Sequence, residues 1–158
     1  MSNYLIPLMV VVPMLCAILV NAFAKFNKSI KVLTFVVAIC LPIIPLLSNY
    51  GLHFFGGYTP MLDNATGVIY HPAITYAFDM LQQIFIVAVG LITFLVAFIY
   101  LSKYKKASGQ YLFLLFMGTA SVTALMLTDD IFNMFVFFEI LALVQVGIVI
   151  ASPMDYSY

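Results

Sequence analysis

The chain has 158 residues, 65% of them hydrophobic and only 8% charged, and its formal net charge is zero. Soluble domains carry about 25% charged residues, so this much apolar surface requires lipid as its solvent. The same composition excludes a basic face for nucleic acid and a charged docking surface.

The first apolar run covers about residues 4–24. No basic segment precedes it and it is too long for a signal-peptide core, so it reads as a retained span. Pro7 and Pro13 interrupt it, which membrane helices tolerate when neighbours satisfy the freed carbonyls. The second run, about 32–47, carries Pro42 and Pro45, which are expected to kink or end its last turn. Cys16 and Cys40 each sit within an apolar run, without CxxC or Cys/His metal spacing, and read as small buried residues.

A polar loop follows, from Ser48 to about Tyr76, rich in Gly and Pro. Its end, Val68–Phe78, is β-rich and predicts a short hairpin or interfacial cap. Asn64-Ala65-Thr66 fits a glycosylation sequon by chance spacing, and His53 and His71 read as loop polar groups. The third span is about 77–101, the fourth about 110–127 and the fifth 131–151. The expectation is an all-α polytopic membrane protein of five transmembrane helices forming one membrane domain.

Charge placement orients these spans. Lys25, Lys28 and Lys31 lie between spans one and two, and Lys103, Lys105 and Lys106 between spans three and four. The positive-inside rule makes those loops cytoplasmic, with the N-terminus and the 48–76 loop outside. The ten Tyr avoid the centres of the runs, as an aromatic belt with buried rings and wet hydroxyls would.

Polar residues within the spans are the functional candidates. Asp79, Gln82 and Gln83 open span three on one face, as helix caps or as the lining of an outward ion path. Span four carries Gly118, Thr119, Ser121 and Thr123; Thr119 and Thr123 share a face suited to helix packing or to a water file. Thr128, Asp129 and Asp130 can cap span five. Within span five, Asn133, Glu139 and Gln145 recur every six residues and so point in different directions, which predicts a helix surrounded mostly by protein. Glu139 lies roughly 12 Å along that helix, near the bilayer midplane, where a carboxylate needs a partner, a proton or a cavity. None of the five spans holds a Lys or Arg in its interior, so a mid-membrane cation for Glu139 would come from another polypeptide.

The run Thr128-Asp-Asp-Ile-Phe-Asn-Met-Phe-Val-Phe-Phe-Glu139-Ile-Leu resembles the fifth-helix signature of antiporter-like membrane subunits. These occur in respiratory complex I, Mrp-type sodium/proton antiporters and membrane-bound energy-converting hydrogenases. Gly56-Gly57-Tyr-Thr-Pro60 and Phe78-Asp79 look similar to the Mrp D-type branch. The resemblance covers essentially the whole chain but only the N-terminal third of a family member. It implies that Glu139 is the glutamate that pairs, in the family, with a lysine on the seventh helix. That lysine has no counterpart here, so the resemblance implies either a split subunit completed by a second chain or a shortened relative.

On this reading the chain is a multi-pass subunit of the prokaryotic cytoplasmic membrane. It contributes a protonatable half-channel to a multisubunit proton- or sodium-translocating complex, redox-linked or antiporter-type. The alternative is a truncated antiporter-like subunit with a purely structural, assembly role. No catalytic centre, metal or cofactor is expected in the chain itself. The expected partners are other membrane subunits, one of which supplies a mid-membrane Lys. Glu139 is the proton-transfer candidate, and Asp79, Gln82, Gln83, Thr119, Thr123 and Gln145 mark the candidate ion path.

Overall fold

A computed structural model describes residues 5–49, 51–63, 67–105 and 107–151. The sequon at 64–66, Lys106 and the segment 152–158 lie outside the described residues. The five apolar runs are helices: α1 (Leu5–Ala22), α2 (Asn27–Leu46), α3 (Met80–Lys103), α4 (Gly109–Leu127) and α5 (Ile131–Ala151). Each is long and apolar enough to cross a bilayer. A helix satisfies its own backbone groups, which is what a chain surrounded by lipid must do.

α2 departs from the sequence reading at its start. α2 begins at Asn27, before its apolar run, because Lys28 and Lys31 lie in its first turns and their long stems suit a helix that emerges from the membrane. α2 includes Pro42 and Pro45 and ends at Leu46, one residue past Pro45. Cys16 is buried as expected, but Cys40 is exposed on α2.

The loop between α2 and α3 is an antiparallel ribbon of β1 (Leu52–Asp63) and β2 (Gly67–Phe78), paired from Leu52↔Phe78 to Asp63↔Gly67. Only the second strand carried an obvious β signature. The first holds Gly56, Gly57 and Pro60, which read as turn residues in isolation. A two-stranded ribbon has a free edge on each side, and Pro60 and Pro72 are tolerated there because a missing N–H can face outward. His53 and His71 take strand positions in this ribbon.

The ribbon's base is sewn to the bundle. Gly51 adopts φ +76, a conformation glycine takes without strain, and its N–H donates to the Phe78 carbonyl at 2.8 Å. Asp129 N–H donates to the Thr75 carbonyl at 3.0 Å, and Tyr76 bridges Thr128.

α4 is the hub, packing against α1, α3 and α5, while α2 lies along α3. Its small residues Gly118, Thr119, Ala120, Ser121, Thr123 and Ala124 let neighbours approach on several sides. Two apolar clusters result. One, at the lysine-bearing end, includes Val20, Ile30, Tyr100, Leu112 and Phe116. The other, under the ribbon, includes Ile6, Met9, Phe78, Ile86 and Leu127.

Tyr100, Tyr104 and Tyr111 lie near helix ends, but the hydroxyl of buried Tyr100 is not left to water. It accepts from the Ser108 N–H at 2.9 Å, and its ring stacks on Tyr111 at 4.3 Å, so it closes the α3–α4 turn.

Thr34 on α2 is fully buried, and its Oγ1 has no hydrogen-bond partner among the described residues. An unsatisfied buried hydroxyl costs about 1–3 kcal/mol. Thr34→Val keeps the shape and removes that cost. It is expected to raise the unfolding midpoint of the protein in detergent; an unchanged or lower midpoint would mean the hydroxyl is satisfied.

Candidate functional site

α5 is apolar nearly all round, and α4 is its principal neighbour. The face it turns inward follows helical spacing: Phe137, Ile140, Leu141, Val144, Gly147 and Ile148 are buried or half-buried. The fit there is close. A Cβ on Gly118 of α4 would meet Val144 Cγ1 at 3.2 Å, and one on Gly147 would meet Leu114 Cδ2 at 2.9 Å.

Taking Val144 as the centre of that face, the three polar residues of α5 separate at about 100° per residue. Asn133 is about 20° away and inward, Gln145 about 100° to one side, and Glu139 about 140° away. Glu139 and Gln145 are accordingly exposed and Asn133 half-buried. Exposed Phe135, Val136, Phe138 and Leu143 surround Glu139 along the helix. Among the described residues Glu139 makes no hydrogen bond and no ion pair. The expectation of protein on most sides of α5 is therefore not met among the described residues, where α4 covers one face and the others are open.

The N-terminus of α5 is built as its residues suggest. Asp130 Oδ1 accepts from the Phe132 N–H and Oδ2 from the Asn133 N–H, both at 3.2 Å. The negative carboxylate also suits the positive helix end. Asn133 Nδ2 donates to Thr128 Oγ1 at 3.2 Å and to the Tyr76 hydroxyl at 3.4 Å. The bond to Tyr76 joins α5 to the ribbon.

Asp79, Gln82 and Gln83 are occupied at the ribbon end. Gln82 Oε1 accepts from the Asp79 N–H at 3.1 Å, the return half of a capping box at the start of α3. Gln83 Nε2 donates to the Pro45 carbonyl at 2.9 Å and clamps α3 to α2. Their polar atoms face helix ends rather than one continuous lining.

Thr119 has a partner that sequence reasoning missed. Its Oγ1 lies 2.9 Å from Thr93 Oγ1 of α3, and both residues are buried. Each hydroxyl also lies 2.9 Å from a carbonyl one turn back, Leu115 for Thr119 and Val89 for Thr93. A hydroxyl has one proton, so the pair forms a chain that ends on one carbonyl or the other. Nothing in the sequence marked Thr93, because its partner is on another helix.

The two hydroxyls line a cavity of about 280 Å³ between α3, α4 and α5, with Gln145 on its α5 wall. Its other walls are apolar, among them Ile92, Val122, Leu141 and Ile148. The fold thus brings together Thr93, Thr119 and Gln145. Thr123 is buried one turn beyond Thr119, and Glu139 is not among the residues lining the cavity.

No family model matches the chain. It is 37% identical over 156 residues to an uncharacterized protein of Methanocaldococcus jannaschii. The alignment takes in 99% of this chain and 31% of that protein, so the chain spans about a third of the relative's length. Among solved structures it is similar to a chain of the membrane-bound sulfane sulfur reductase, an archaeal respiratory membrane complex. The TM-score is 0.69 at 21% identity, covering 88% of this chain and 28% of the other. At that identity the likeness shows a shared fold.

Proposed function

We propose that the chain contributes a protonatable half-channel to a multisubunit membrane complex that moves protons or sodium ions. The observation that carries this reading is Glu139, near mid-bilayer on the open face of α5 with no partner among the described residues. Insertion scales put an ionised carboxyl at mid-bilayer at about 2.5–3.5 kcal/mol, and simulations of isolated charges give more. In the membrane that face must meet a polar or cationic group from outside the described residues, or hold a proton.

The fold likeness to a chain of a respiratory membrane complex and the antiporter-like motif around Glu139 both support a subunit role. A lysine placed against Glu139 by a later segment or another subunit would make a coupled pair. Such a pair titrates as a unit, and a conformational change can move it between two protonation patterns. The chain's own residues would hold the proton at Glu139, while electron chemistry would belong to other subunits. The positive-inside rule would put the lysine-bearing end in the cytoplasm.

A half-channel makes Glu139 reachable by water. In a variant with Cys16 and Cys40 replaced by Ser, Glu139→Cys in intact membranes should react with a charged methanethiosulfonate reagent. Phe138→Cys, exposed at the same depth but about 100° round α5 from Glu139, is the control. Because the thiolate is the reactive form and requires water, position 139 should react about tenfold faster or more. Equally slow reaction at both positions would refute a water path to Glu139.

A further inference from the structure

The lysine-bearing end of the bundle has a second feature, independent of Glu139. A groove of about 330 Å³ runs between α2 and α3. Phe35, Val36 and Phe98 form its apolar walls, and each is exposed to the bundle's surroundings. Lys31 and Ser102 stand at its polar end.

Lys31 is half-buried and held in place. Its Nζ donates to the Tyr104 carbonyl at 3.0 Å and to the Leu101 carbonyl at 3.4 Å, at the end of α3. An ammonium has three N–H groups, so one donor remains, and two carbonyls leave its positive charge unneutralised. Lys28 lies one turn earlier on α2, and Lys103 ends α3 with its Nζ 5.4 Å from the Tyr104 ring centre. Among the described residues no Asp or Glu lies at this end of the bundle.

A fixed cation at the mouth of an apolar groove, at interface depth, matches one ligand chemistry: an anionic headgroup joined to a hydrocarbon chain. We propose that this groove binds an anionic phospholipid, its phosphate at Lys31 and Ser102 and one chain along Phe35, Val36 and Phe98. A neutral lipid would fill the apolar part without answering the charge, and a free phosphate would leave the aromatic walls bare.

The chain contains no Trp, so Phe98→Trp creates a single fluorescent reporter in the groove. The full chain would be reconstituted in vesicles of phosphatidylcholine and phosphatidylglycerol, with one lipid brominated at a time. Brominated phosphatidylglycerol should quench with a relative binding constant about fivefold above that of brominated phosphatidylcholine. Lys31→Gln, which keeps donors for the two carbonyls, should bring that ratio close to one. A reporter at Leu143→Trp should show no preference. Phe35→Trp on the opposite wall repeats the measurement if Phe98→Trp does not fold. Equal quenching by the two lipids in the parent, or a preference unmoved by Lys31→Gln, would overturn the proposal. So would no quenching by either lipid, which would mean that protein covers the groove.

Discussion

Glu139→Gln is expected to abolish ion movement by membranes carrying the assembled complex while leaving the chain folded and incorporated. Gln keeps the length and hydrogen-bonding capacity of the side chain but can neither lose nor gain a proton at neutral pH. Among the described residues the carboxyl makes no hydrogen bond or ion pair that the substitution would break. Removing an ionisable group from mid-bilayer also removes a cost of about 2.5–3.5 kcal/mol, so stability of the isolated chain should hold or rise.

The measurement is ion uptake by inverted vesicles, alongside quantification of the chain in the purified complex. Glu139→Asp, which keeps the proton but shortens the reach, should retain partial activity. Undiminished ion movement in Glu139→Gln would remove the proposed role. Loss of the chain from the complex would instead assign Glu139 to docking.

Gly90→Leu should break the α2–α3 pair. A Cβ at position 90 would lie 2.8 Å from Pro42 N, 3.0 Å from Pro42 Cα and 3.1 Å from the Leu41 carbonyl carbon. All three are backbone atoms, so no side chain can rotate away. Even Gly90→Ala sets a gain in helix propensity of about 0.8–1 kcal/mol against overpacking of about 1–3 kcal/mol. The clash is with rigid backbone, so the loss should win.

Leu adds three more carbons to the same gap and should separate the helices. Gln83 would then lose the Pro45 carbonyl and Lys31 the carbonyls of Leu101 and Tyr104, since both contacts bridge α2 and α3. The expected result is a lower unfolding midpoint in detergent for Gly90→Ala and little folded protein for Gly90→Leu. A Gly90→Ala variant as stable as the parent would show that α2 and α3 can move apart at small cost.

Much of the architecture is legible because membrane helices announce themselves by length and polarity. Five runs stand out since lipid leaves a spanning segment few alternatives to a helix. The Asp130 cap was legible for a local reason: the N–H donors it accepts from lie two and three residues ahead in the chain. The strand Gly67–Phe78 showed through its β-branched and aromatic residues, whereas Leu52–Asp63 did not, because its pairing partner is what makes its glycines and Pro60 strand residues. Gly90 was not legible for a related reason: its close fit against Pro42 and Leu41 depends on a helix distant in the chain.

The candidate site divides in the same way. Glu139 was conspicuous as one carboxyl in an apolar run. Its direction was not legible, because α5 is apolar on every side and hydropathy along the chain carries no angle. Thr93 was invisible until α4 brought Thr119 within 2.9 Å of it.

By itself the sequence determined the solvent, the number of spans, the separation of lysines from acids along the chain, and the place of Glu139 inside the fifth apolar run. These follow from the cost of moving each residue into lipid, which is paid residue by residue. The tertiary structure decided that α3 meets α2 through Gly90 and Gln83, that Thr93 and Thr119 share one cavity, and that Glu139 looks outward from α5. Those outcomes depend on which helices lie against one another, and that is settled by close packing between residues distant in the chain.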